Sequence, residues 1–461
     1  MNDFQLSEIP APATFRDVKT PVISDEVMRQ RLQNLLKAMR EQDLDSLVIY
    51  ADKEHGSNFE YLSGFIPRFE EALLVISAAG ELAYVMGNEN LKLVPFARNP
   101  GKCLHAPAFS LPNQPMDNEA PLAEVLAQAG IAPGQKVGVA GWKLFTSAGQ
   151  DNRYLFDIPA FMLEAIITTA GNRQQVVNAT SLLISPQRGI RRINTASEIA
   201  FYEYGANLAS TSLLAALDSI EVGKSERAVA QHLSSEGQPA SVVMIAATGD
   251  RFANACLYPT DKKIQRGDKF SLTLGYKGGL TSRAAYVVAA ENELNAGVAD
   301  YLPALAIPYY RAVITWLETL RTGLTGGELY QTIEGVLPKA HYHWHLNPGH
   351  LVADEEWLCS PVYPDSAIPL QSGMIFQIDI IPSLPGYGGC SIEDTVALAD
   401  ASLRAALQND FPEVWHRMET RKTYLRDVLK ITVADEVILL SNTVGYLRPF
   451  LLDKTRALIR Q

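Results

Sequence analysis

One stretch of the sequence joins two strand-like segments, each of which carries an acidic side chain that a half-buried strand disfavours. In GMIFQIDIIPSLPGYGGCSIEDTVAL, residues 373–398, apolar positions alternate on both sides of a Pro- and Gly-rich connection, which predicts a β-hairpin. Pairing that is symmetric about Gly386 places Asp379 directly opposite Glu393. Like charges at such positions repel unless a cation or a shared proton relieves them, whereas a pair exposed at a rim needs neither. This pair is therefore our first candidate for a functional site.

Length and charge limit the class of protein. A chain of 461 residues, 47% hydrophobic and 20% charged, exceeds one ordinary core and predicts two domains. Its net charge of −11 argues against nucleic acid or an anionic membrane as partner, because both bind clustered Lys and Arg, so we expect a small-molecule substrate.

We see no signal-peptide pattern and no apolar run of membrane-spanning length, and we expect a cytoplasmic protein. The four cysteines form no CxxC pair, which predicts neither a disulfide framework nor structural zinc.

The order of helical and strand patterns divides the chain near residue 188. The first part alternates an amphipathic helix, VMRQRLQNLLKAMREQ, with short apolar runs, which predicts an α/β domain over 1–187. A capping-box pattern from Thr195 to Glu198 then opens a long helix. The second part, 188–461, is predicted to be α+β with mainly antiparallel hairpins. Its expected helices are at 195–219, 225–235, 296–321 and 326–337, and its expected strands at 241–247, 268–275, 283–290, 340–346, 374–381 and 391–398.

Several segments resemble one known family. IEDTVAL, preceded by GMIFQIDII, is similar to the closing strands of the pita-bread family that contains creatinase, prolidase, aminopeptidase P and methionine aminopeptidase. SNFEYLSGF followed by Arg68 resembles the N-terminal domain of the creatinase and prolidase branch, and SEIAFYEYGANLAS, GKSERAVAQHL and NPGH occur in the family's order. The resemblance implies a creatinase/prolidase-like α/β N-terminal domain, an α+β pita-bread catalytic-type domain and a homodimer.

The resemblance also implies which residues take the family's metal positions. Its peptidases hold two divalent ions with two Asp, one His and two Glu, and three of these positions fall on His350, Asp379 and Glu393. The two aspartate positions fall on Thr273 and Leu280. A threonine hydroxyl is a poor ligand and leucine is none, so the carboxylate that bridges two ions is absent. What remains implies no certain cofactor, or one divalent ion held weakly by the three surviving side chains.

Creatinase implies a second form of chemistry, because it resembles these peptidases and cleaves a C–N bond without a metal. In this chemistry His350 is the general acid–base, with Glu393 and Asp379 orienting it or holding a cationic substrate. The histidine that creatinase uses falls on Cys256. A thiolate close to an imidazole is a nucleophile, so Cys256 is a further catalytic candidate, and a small buried hydrophobic side chain is the alternative interpretation.

Other residues are candidates for the substrate side of the cavity. The resemblance implies that Arg68 reaches the neighbouring subunit's cavity and binds a substrate carboxylate, whereas the adjacent Glu70 and Glu71 favour a solvated charge cluster. In HYHWHLNPGH, His341, His343 and His345 stand at alternate positions, which predicts that they share one face of a strand. Of these three, only His345 is close in sequence to the family's cavity. The four substrate-binding candidates are Arg68, His345, Tyr258 and Trp357, the last of which takes the position of the family's second histidine.

Three functions remain open. The first is a creatinase/prolidase-like hydrolase that cleaves a C–N bond of a small amino-acid-derived substrate, either without metal or with one weakly held ion. The second is a non-catalytic pita-bread protein that binds a small molecule or another protein. The third is an Xaa-Pro aminopeptidase or dipeptidase with a dinuclear site, for which Asp250, Asp261 or Asp268 would be unrecognised ligands. Residues 401–430 read as an amphipathic surface helix.

Overall fold

The chain forms two compact units. A computed structural model describes residues 3–114, 120–254 and 256–461. The smaller unit is Ile23–Arg191, and the larger contains the chain up to Val22 together with Arg192–Gln461. The predicted domains, 1–187 and 188–461, differ from this division at the N-terminus. Strand β1 (Phe4–Glu8) pairs antiparallel with the last strand, Arg456–Arg460, and local sequence patterns do not indicate a pairing between opposite ends of a chain.

The smaller unit is the α/β domain that the sequence predicted. Its helices are α1 (Asp25–Glu41), α2 (Ser57–Ser63), α3 (Leu122–Gln128), α4 (Ala160–Ala170) and α5 (Ser181–Ile184), and its strands are β2 (Ser46–Ala51), β3 (Ala72–Ser77), β4 (Leu82–Met86), β5 (Lys102–His105), β6 (Val137–Ala140) and β7 (Val176–Asn178). In the described residues they form a six-stranded mixed sheet with the order β5-β4-β3-β2-β6-β7. Every residue of β2 is buried, as expected for a central strand that is covered on both faces.

The larger unit is α+β, with antiparallel pairing, as predicted. Its strands are β8 (Ile245–Thr248), β9 (Lys269–Tyr276), β10 (Gly279–Tyr286), β11 (His350–Leu351), β12 (Ile375–Gln377), β13 (Ser391–Glu393), β14 (Thr395–Leu398), β15 (Val437–Leu439) and β16 (Arg456–Arg460). Its helices are α6 (Ala196–Ser219), α7 (Glu226–Ala230), α8 (Asp250–Ala253), α9 (Ile307–Thr319), α10 (Gly326–Val336), α11 (Lys339–Tyr342), α12 (Ala401–Asp410) and α13 (Pro412–Asp427). In the described chain, two four-stranded sheets have the orders β13-β10-β9-β8 and β11-β12-β14-β15.

Helix α6 packs against the first of these sheets. The predicted capping box is present, because the Glu198 side chain accepts a hydrogen bond from Thr195 N at 2.8 Å and the Thr195 side chain caps the helix in return. A Cβ atom on Gly205 would lie 1.9 Å from Lys277 O, so only glycine allows α6 to approach the β9–β10 turn this closely. No helix in the described residues combines the length and apolarity that crossing a membrane requires.

The segment predicted as a surface helix, 401–430, contains two helices, and the buried face of the second includes two arginines. Arg417 and Arg421 of α13 are 6% and 4% exposed, and both contact Glu203 of α6. The contacts are 2.9 Å from Arg417 Nε to Glu203 Oε1 and 2.6 Å from Arg421 Nη2 to the same oxygen. The amphipathic surface prediction is confirmed for α13, but the sequence did not predict the break into two helices or the two arginines that share one buried carboxylate.

Candidate active site

The closing hairpin has the predicted register but divides between two sheets. Gln377 of β12 pairs with Thr395 of β14, and Ile378 N donates to Asp394 O at 3.1 Å, which confirms symmetry about Gly386. Beyond this point β13 leaves the hairpin and pairs with β10. Asp379 and Glu393, the next positions of the hairpin register, therefore lie where the two sheets of the larger unit diverge.

The neighbouring strands supply the other side chains around this point. His350 of β11 pairs with Gln377, so β11 runs beside the strand that leads to Asp379. On the other side, Glu393 pairs with Ser282 of β10, which in turn pairs with Thr273 of β9. Paired residues of adjacent strands present their side chains to the same face.

His350 is held by contacts on both ring nitrogens and on one ring face. It is fully buried, and its Nδ1 lies 3.1 Å from Leu351 O, so Nδ1 carries a proton because a carbonyl only accepts. Its Nε2 lies 3.0 Å from Glu356 Oε1 and 3.8 Å from Asp379 Oδ2. The Trp357 ring stacks on the imidazole with centroids 4.1 Å apart and planes at 22°. The imidazole is fixed in place, with Nε2 facing two carboxyl groups.

Glu356 is the member of this cluster that the sequence analysis missed. The chain after β11 folds back, with Leu351 N donating to Cys359 O at 2.7 Å and Leu358 N to Leu351 O at 2.9 Å. This narrow turn brings Glu356 and Trp357 over His350. The available signal was the acidic run ADEEW close after His350.

Burial and mutual repulsion keep the two hairpin acids protonated to higher pH than ordinary carboxyl groups. Burial, followed by the charge of Glu356, raises the pKa of Asp379 to about 7. Burial, followed by Asp379 and Glu356, raises the pKa of Glu393 well above its ordinary value, although His350 and a hydrogen bond from Ser391 act in the opposite direction. A group that holds a proton near neutral pH, beside an imidazole, is suited to general acid–base chemistry.

Hydroxyl groups occupy the side of the cluster where the family has its aspartates. Thr273 Oγ1 donates to Ser282 Oγ at 2.9 Å. Ser391 Oγ lies 3.1 Å from Ser282 Oγ and 3.3 Å from Glu393 Oε1. Leu280 is 6% exposed and adds no polar side-chain atom. If the resemblance places the family's aspartates correctly, a row of hydroxyls takes the place of the carboxylates that would bridge two ions.

These residues do not fit the family's two-ion site. Throughout residues 3–114, 120–254 and 256–461, no group of three or more His, Cys, Asp and Glu side chains lies in an arrangement that could hold a metal ion. The resemblance places Thr273 and Leu280 at two of the ligand positions, and Glu356 already contacts His350 Nε2. A single ion at His350, Asp379 and Glu393, the alternative to metal-free chemistry from the sequence, requires these side chains to rearrange.

Arg283 of β10, which pairs with Ile392 of β13, is structural. It is 3% exposed, its Nη2 lies 2.6 Å from Asp394 Oδ2, and its Nε donates to Tyr446 O at 2.9 Å. Nη2 also donates a hydrogen bond to Thr443 O at 2.7 Å. The Arg283 guanidinium therefore holds together the backbone segments next to Glu393.

Cys256 and Tyr258 lie on an exposed loop. Cys256 is exposed, with Sγ 3.7 Å from Asn254 O, so its interpretation as a buried hydrophobic side chain is wrong. Tyr258 is 67% exposed. Arg251, which is held by the buried Glu226, donates to the carbonyls of Cys256 and Tyr258 and fixes the loop. In the described residues no contact joins Cys256 to His350, and its catalytic role stays a prediction.

The three histidines of HYHWH do not share a strand face. His341 belongs to the short helix α11, and His343 follows it with φ of +52°, a left-handed conformation. Trp344 is buried, with Nε1 donating to Leu337 O at 2.7 Å, and this contact fixes the turn. The predicted strand at 340–346 is therefore wrong, because alternating residues also fit a short helix that ends in a turn. His345 is exposed.

Arg68 lies on an exposed tip of the smaller unit. Its guanidinium is 4.8 Å from the centre of the Phe69 ring, and Phe69 has φ of +60°. Glu70 is 1% exposed and accepts hydrogen bonds from Glu89 N at 2.9 Å and Leu111 N at 3.3 Å. In the part of the chain described, Arg68 forms no ion pair with Glu70 or Glu71, so the predicted charge cluster is wrong. The hydrogen bonds to Glu70 hold the tip in place, and the Arg68 guanidinium remains available to bind other partners.

The acids considered as unrecognised metal ligands have other surroundings. Asp268 accepts hydrogen bonds from Thr248 Oγ1 at 2.8 Å and Gln265 N at 2.9 Å, as in an ordinary turn. Asp261 pairs with Arg227 at 3.3 Å, and its side chain is 83% exposed. Asp250 is exposed at the first position of α8. None of these arrangements restores a bridging carboxylate.

Comparison with known proteins agrees with this architecture. Residues 31–143 match the family described as Creatinase/Prolidase N-terminal domain, and residues 201–400 match Metallopeptidase family M24. The chain belongs to the creatinase, prolidase and aminopeptidase P family. Among curated relatives of this family, a Pyrococcus horikoshii Xaa-Pro dipeptidase is 28% identical to this chain over 226 residues. The matched region covers 46% of this chain and 61% of that protein. A Pyrococcus furiosus Xaa-Pro dipeptidase is also 28% identical, over 228 residues, 46% of this chain and 62% of that protein. The chain thus spans about three fifths of the length of these relatives.

Solved structures confirm the pita-bread fold. A Thermococcus sibiricus prolidase matches with a TM-score of 0.63 and 20% identity, covering 81% of this chain and 95% of that one. A Bacillus anthracis Xaa-Pro dipeptidase matches with a TM-score of 0.60 and 18% identity, covering 81% of this chain and 96% of that one. At these identities the matches establish the fold alone, and the chemistry has to be argued from the site.

Proposed function

We propose that this protein is a hydrolase that cleaves a C–N bond of a small amino-acid-derived substrate without a metal ion. The observation that carries this proposal is the placement of His350 Nε2 between Glu356, at 3.0 Å, and Asp379, at 3.8 Å, inside a buried cluster. The family also contains the Xaa-Pro dipeptidases to which this chain is similar, and these act on C–N bonds. Homodimer formation and a cytoplasmic location stay predictions.

The cluster has the groups that hydrolysis of a C–N bond needs. One water molecule adds its oxygen to the carbon, and its proton passes to a basic member of the cluster. The bond to nitrogen then breaks, and His350 or Asp379 gives a proton to the departing nitrogen, so that a neutral amine leaves. The raised pKa of Asp379, about 7, allows the cluster to hold this proton at neutral pH.

The position of Arg68 supports a small substrate that carries a carboxylate. A guanidinium binds a carboxylate through two parallel hydrogen bonds, and Arg68 is exposed on an anchored tip. In this proposal a second copy of the chain supplies Arg68 to the site. Replacing Arg68 by Ala should then weaken substrate binding, with a larger effect on KM than on kcat.

The experiment is a turnover assay with chelator-treated protein. The substrates are a panel of Xaa-Pro dipeptides and small N-substituted amino-acid amides, ureas and amidines, and the product is the released amine, quantified by mass spectrometry. We expect cleavage that survives chelation and is lost in His350→Ala and Glu393→Gln, while Asp261→Asn, an exposed matched control, keeps it. Cleavage that requires one or two added ions per chain contradicts the proposal. Tight ligand binding without any cleavage would instead support the non-catalytic binding function.

A further inference from the structure

A groove with a volume of about 310 Å³ is lined by residues of α12, of α13 and of the segment 431–435 that leads to β15. Helix α12 begins at Ala401, directly after the residues that match the metallopeptidase family, 201–400. None of the residues that line this groove belongs to the cluster around His350. What the groove binds is therefore a separate question from the chemistry of that cluster.

Two basic side chains reach this groove from different helices, Arg404 from α12 and Lys422 from α13. The Lys422 side chain is only 20% exposed, and its Nζ lies 3.8 Å from Asp435 Oδ1. The same Nζ donates hydrogen bonds to Ala434 O at 3.0 Å and to Asp435 O at 3.1 Å. Burial lowers the pKa of Lys422, and the like charge of Arg404 acts in the same direction, although Asp435 and Glu419 act in the opposite one. The two cations therefore repel each other, and an anion held between them would relieve this repulsion.

Several hydrogen-bond donors at the groove have no acceptor. Arg404 Nη1 donates to Ala399 O at 2.7 Å, but within the described residues its Nε and Nη2 form no hydrogen bond. Lys422 uses two of its three N–H donors, both on backbone carbonyls. In the described chain Trp415, which also lines the groove, donates no hydrogen bond from its indole nitrogen. Charged and neutral N–H donors of this kind are what a carboxylate or phosphate accepts from.

The acidic side chains at the groove do not satisfy these donors. The Asp435 side chain is 94% exposed, and Glu419 is also exposed. A third basic side chain, Arg426, already pairs with Asp427, with its Nε 2.7 Å and its Nη2 3.0 Å from the two carboxylate oxygens. Throughout the part of the chain that the structure describes, no carboxylate forms an ion pair with Arg404. The Arg404 guanidinium is therefore the cation of the groove that lacks a counter-charge.

The remaining lining of the groove is apolar. Ile431 and Val433 are buried beneath it, and the Trp415 ring is half-buried at its side. The groove has roughly ten times the volume that one water molecule occupies in the liquid. A carboxylate or phosphate alone would leave most of this space empty, so the volume and the lining fit an anion that carries an apolar group.

We propose that this groove is a second ligand site, which binds a small organic oxyanion with its carboxylate or phosphate between Arg404 and Lys422 and its apolar part against Trp415. The oxyanion accepts the unused N–H donors and supplies the counter-charge that Arg404 lacks, while the apolar part covers Ile431 and Val433. This inference goes beyond the proposed hydrolysis and does not rest on it.

Four probes that share one benzene ring test this proposal. Phenyl phosphate and benzoate are oxyanions, benzamide is neutral and benzamidine is cationic, and binding of each to the parent protein is measured by calorimetry at neutral pH. We expect one of the two oxyanions to bind at least about tenfold more tightly than benzamide and benzamidine, and the tighter of the two identifies the ligand as a phosphate or a carboxylate.

Variants of the two cations locate this binding in the groove. Arg404→Gln and Lys422→Gln should each weaken binding of the preferred oxyanion about tenfold, because each removes a charge-assisted hydrogen bond. Arg321→Gln is the matched control, since Arg321 is exposed in the same unit, donates to a backbone carbonyl, Thr319 O, at 3.2 Å and lies outside the groove. This variant should bind the oxyanion as the parent does, and so should His350→Ala.

The other outcomes overturn the assignment. Equal binding of the four probes, or no binding of any, excludes an oxyanion site. Binding that survives in both Arg404→Gln and Lys422→Gln places the anion elsewhere, and binding that is weakened equally in Arg321→Gln reflects overall charge only. Loss of binding in His350→Ala would place the anion at the candidate active site. Circular dichroism establishes that each variant is folded, and because no turnover is measured, failure here is distinct from failure of the proposed hydrolysis.

Discussion

Replacing Asp379 by Asn removes the titrating group that we place at the centre of the acid–base cluster while keeping its shape. Asp379 is 3% exposed, and its Oδ1 lacks a hydrogen bond within the described residues. Ionising this side chain in the folded protein is therefore unfavourable, and burial followed by the charge of Glu356 raises its pKa from the ordinary 3.8 to about 7. The unfolded chain has no such environment, so the penalty falls entirely on the folded state.

The sign of the effect follows from proton binding. Between pH 3.8 and about 7 the folded protein keeps the Asp379 proton while the unfolded chain releases it, so the free energy of unfolding falls as pH rises. A shift from 3.8 to about 7 corresponds to about 4 kcal/mol. Asn cannot ionise, so Asp379→Asn avoids this loss. Relative to the parent, the variant should gain about 4 kcal/mol between pH 3.5 and pH 8.

Urea denaturation at a series of pH values measures this difference, with tryptophan fluorescence as the signal because Trp316, Trp344, Trp357 and Trp415 all lie in the larger unit. Asp453→Asn is the control of opposite sign. Burial alone would raise the pKa of Asp453, but hydrogen bonds from Thr455 and Arg456 outweigh it and lower the pKa. The parent therefore gains stability from this group as pH rises from 3 to 6, and Asp453→Asn should become less stable relative to the parent over that range. A difference between Asp379→Asn and parent that stays constant from pH 3.5 to pH 8 would refute our account of the cluster.

Three further perturbations test other parts of the structure. Gly205→Ala should destabilise the larger unit by roughly 2–4 kcal/mol in urea, because the new Cβ would lie 1.9 Å from Lys277 O, while Gly335→Ala, a helical glycine with open space around it, should be neutral or stabilising. Glu203→Gln should cost roughly 3–5 kcal/mol in the same assay because it leaves Arg417 and Arg421 buried without their carboxylate, while Glu26→Gln, in an exposed pair with Arg29, should cause no measurable change. Glu356→Gln should lower the pKa of Asp379 below about 7 in a ¹³C NMR titration, because the charge of Glu356 is one cause of its elevation, and an unchanged pKa would contradict the proposed proximity.

The sequence predicted those parts of the site that depend on local pattern. Alternation on both sides of Gly386 was sufficient to place Asp379 and Glu393 at matching positions of one hairpin, and the capping box placed the start of α6. It did not predict that β13 would leave the hairpin to pair with β10, because pairing partners distant along the chain are not encoded in a local period.

The remaining contacts depend on tertiary packing. Glu356 reaches His350 only because the chain reverses between Leu351 and Cys359, and no periodic pattern marks that turn. Likewise, Arg417 and Arg421 resemble solvent-exposed residues in a helical pattern, and their burial follows from a single carboxylate, Glu203, far earlier in the sequence. The resemblance to the family supplied His350, whereas the only sequence signal for Glu356 was the acidic run that follows this histidine.

The most direct test of the central claim is the number of divalent ions bound per chain after purification in metal-supplemented buffer without chelator. Elemental analysis of the parent and of Glu393→Ala provides this number. Because the resemblance places Thr273 and Leu280 where two metal ligands would be, and Glu356 contacts His350, we predict no stoichiometric ion in either protein. One ion per parent chain, lost in Glu393→Ala, would contradict the metal-free account and support the single-ion alternative, and two ions, both lost in Glu393→Ala, would contradict it and show that this chain keeps the dinuclear site of the metallopeptidases.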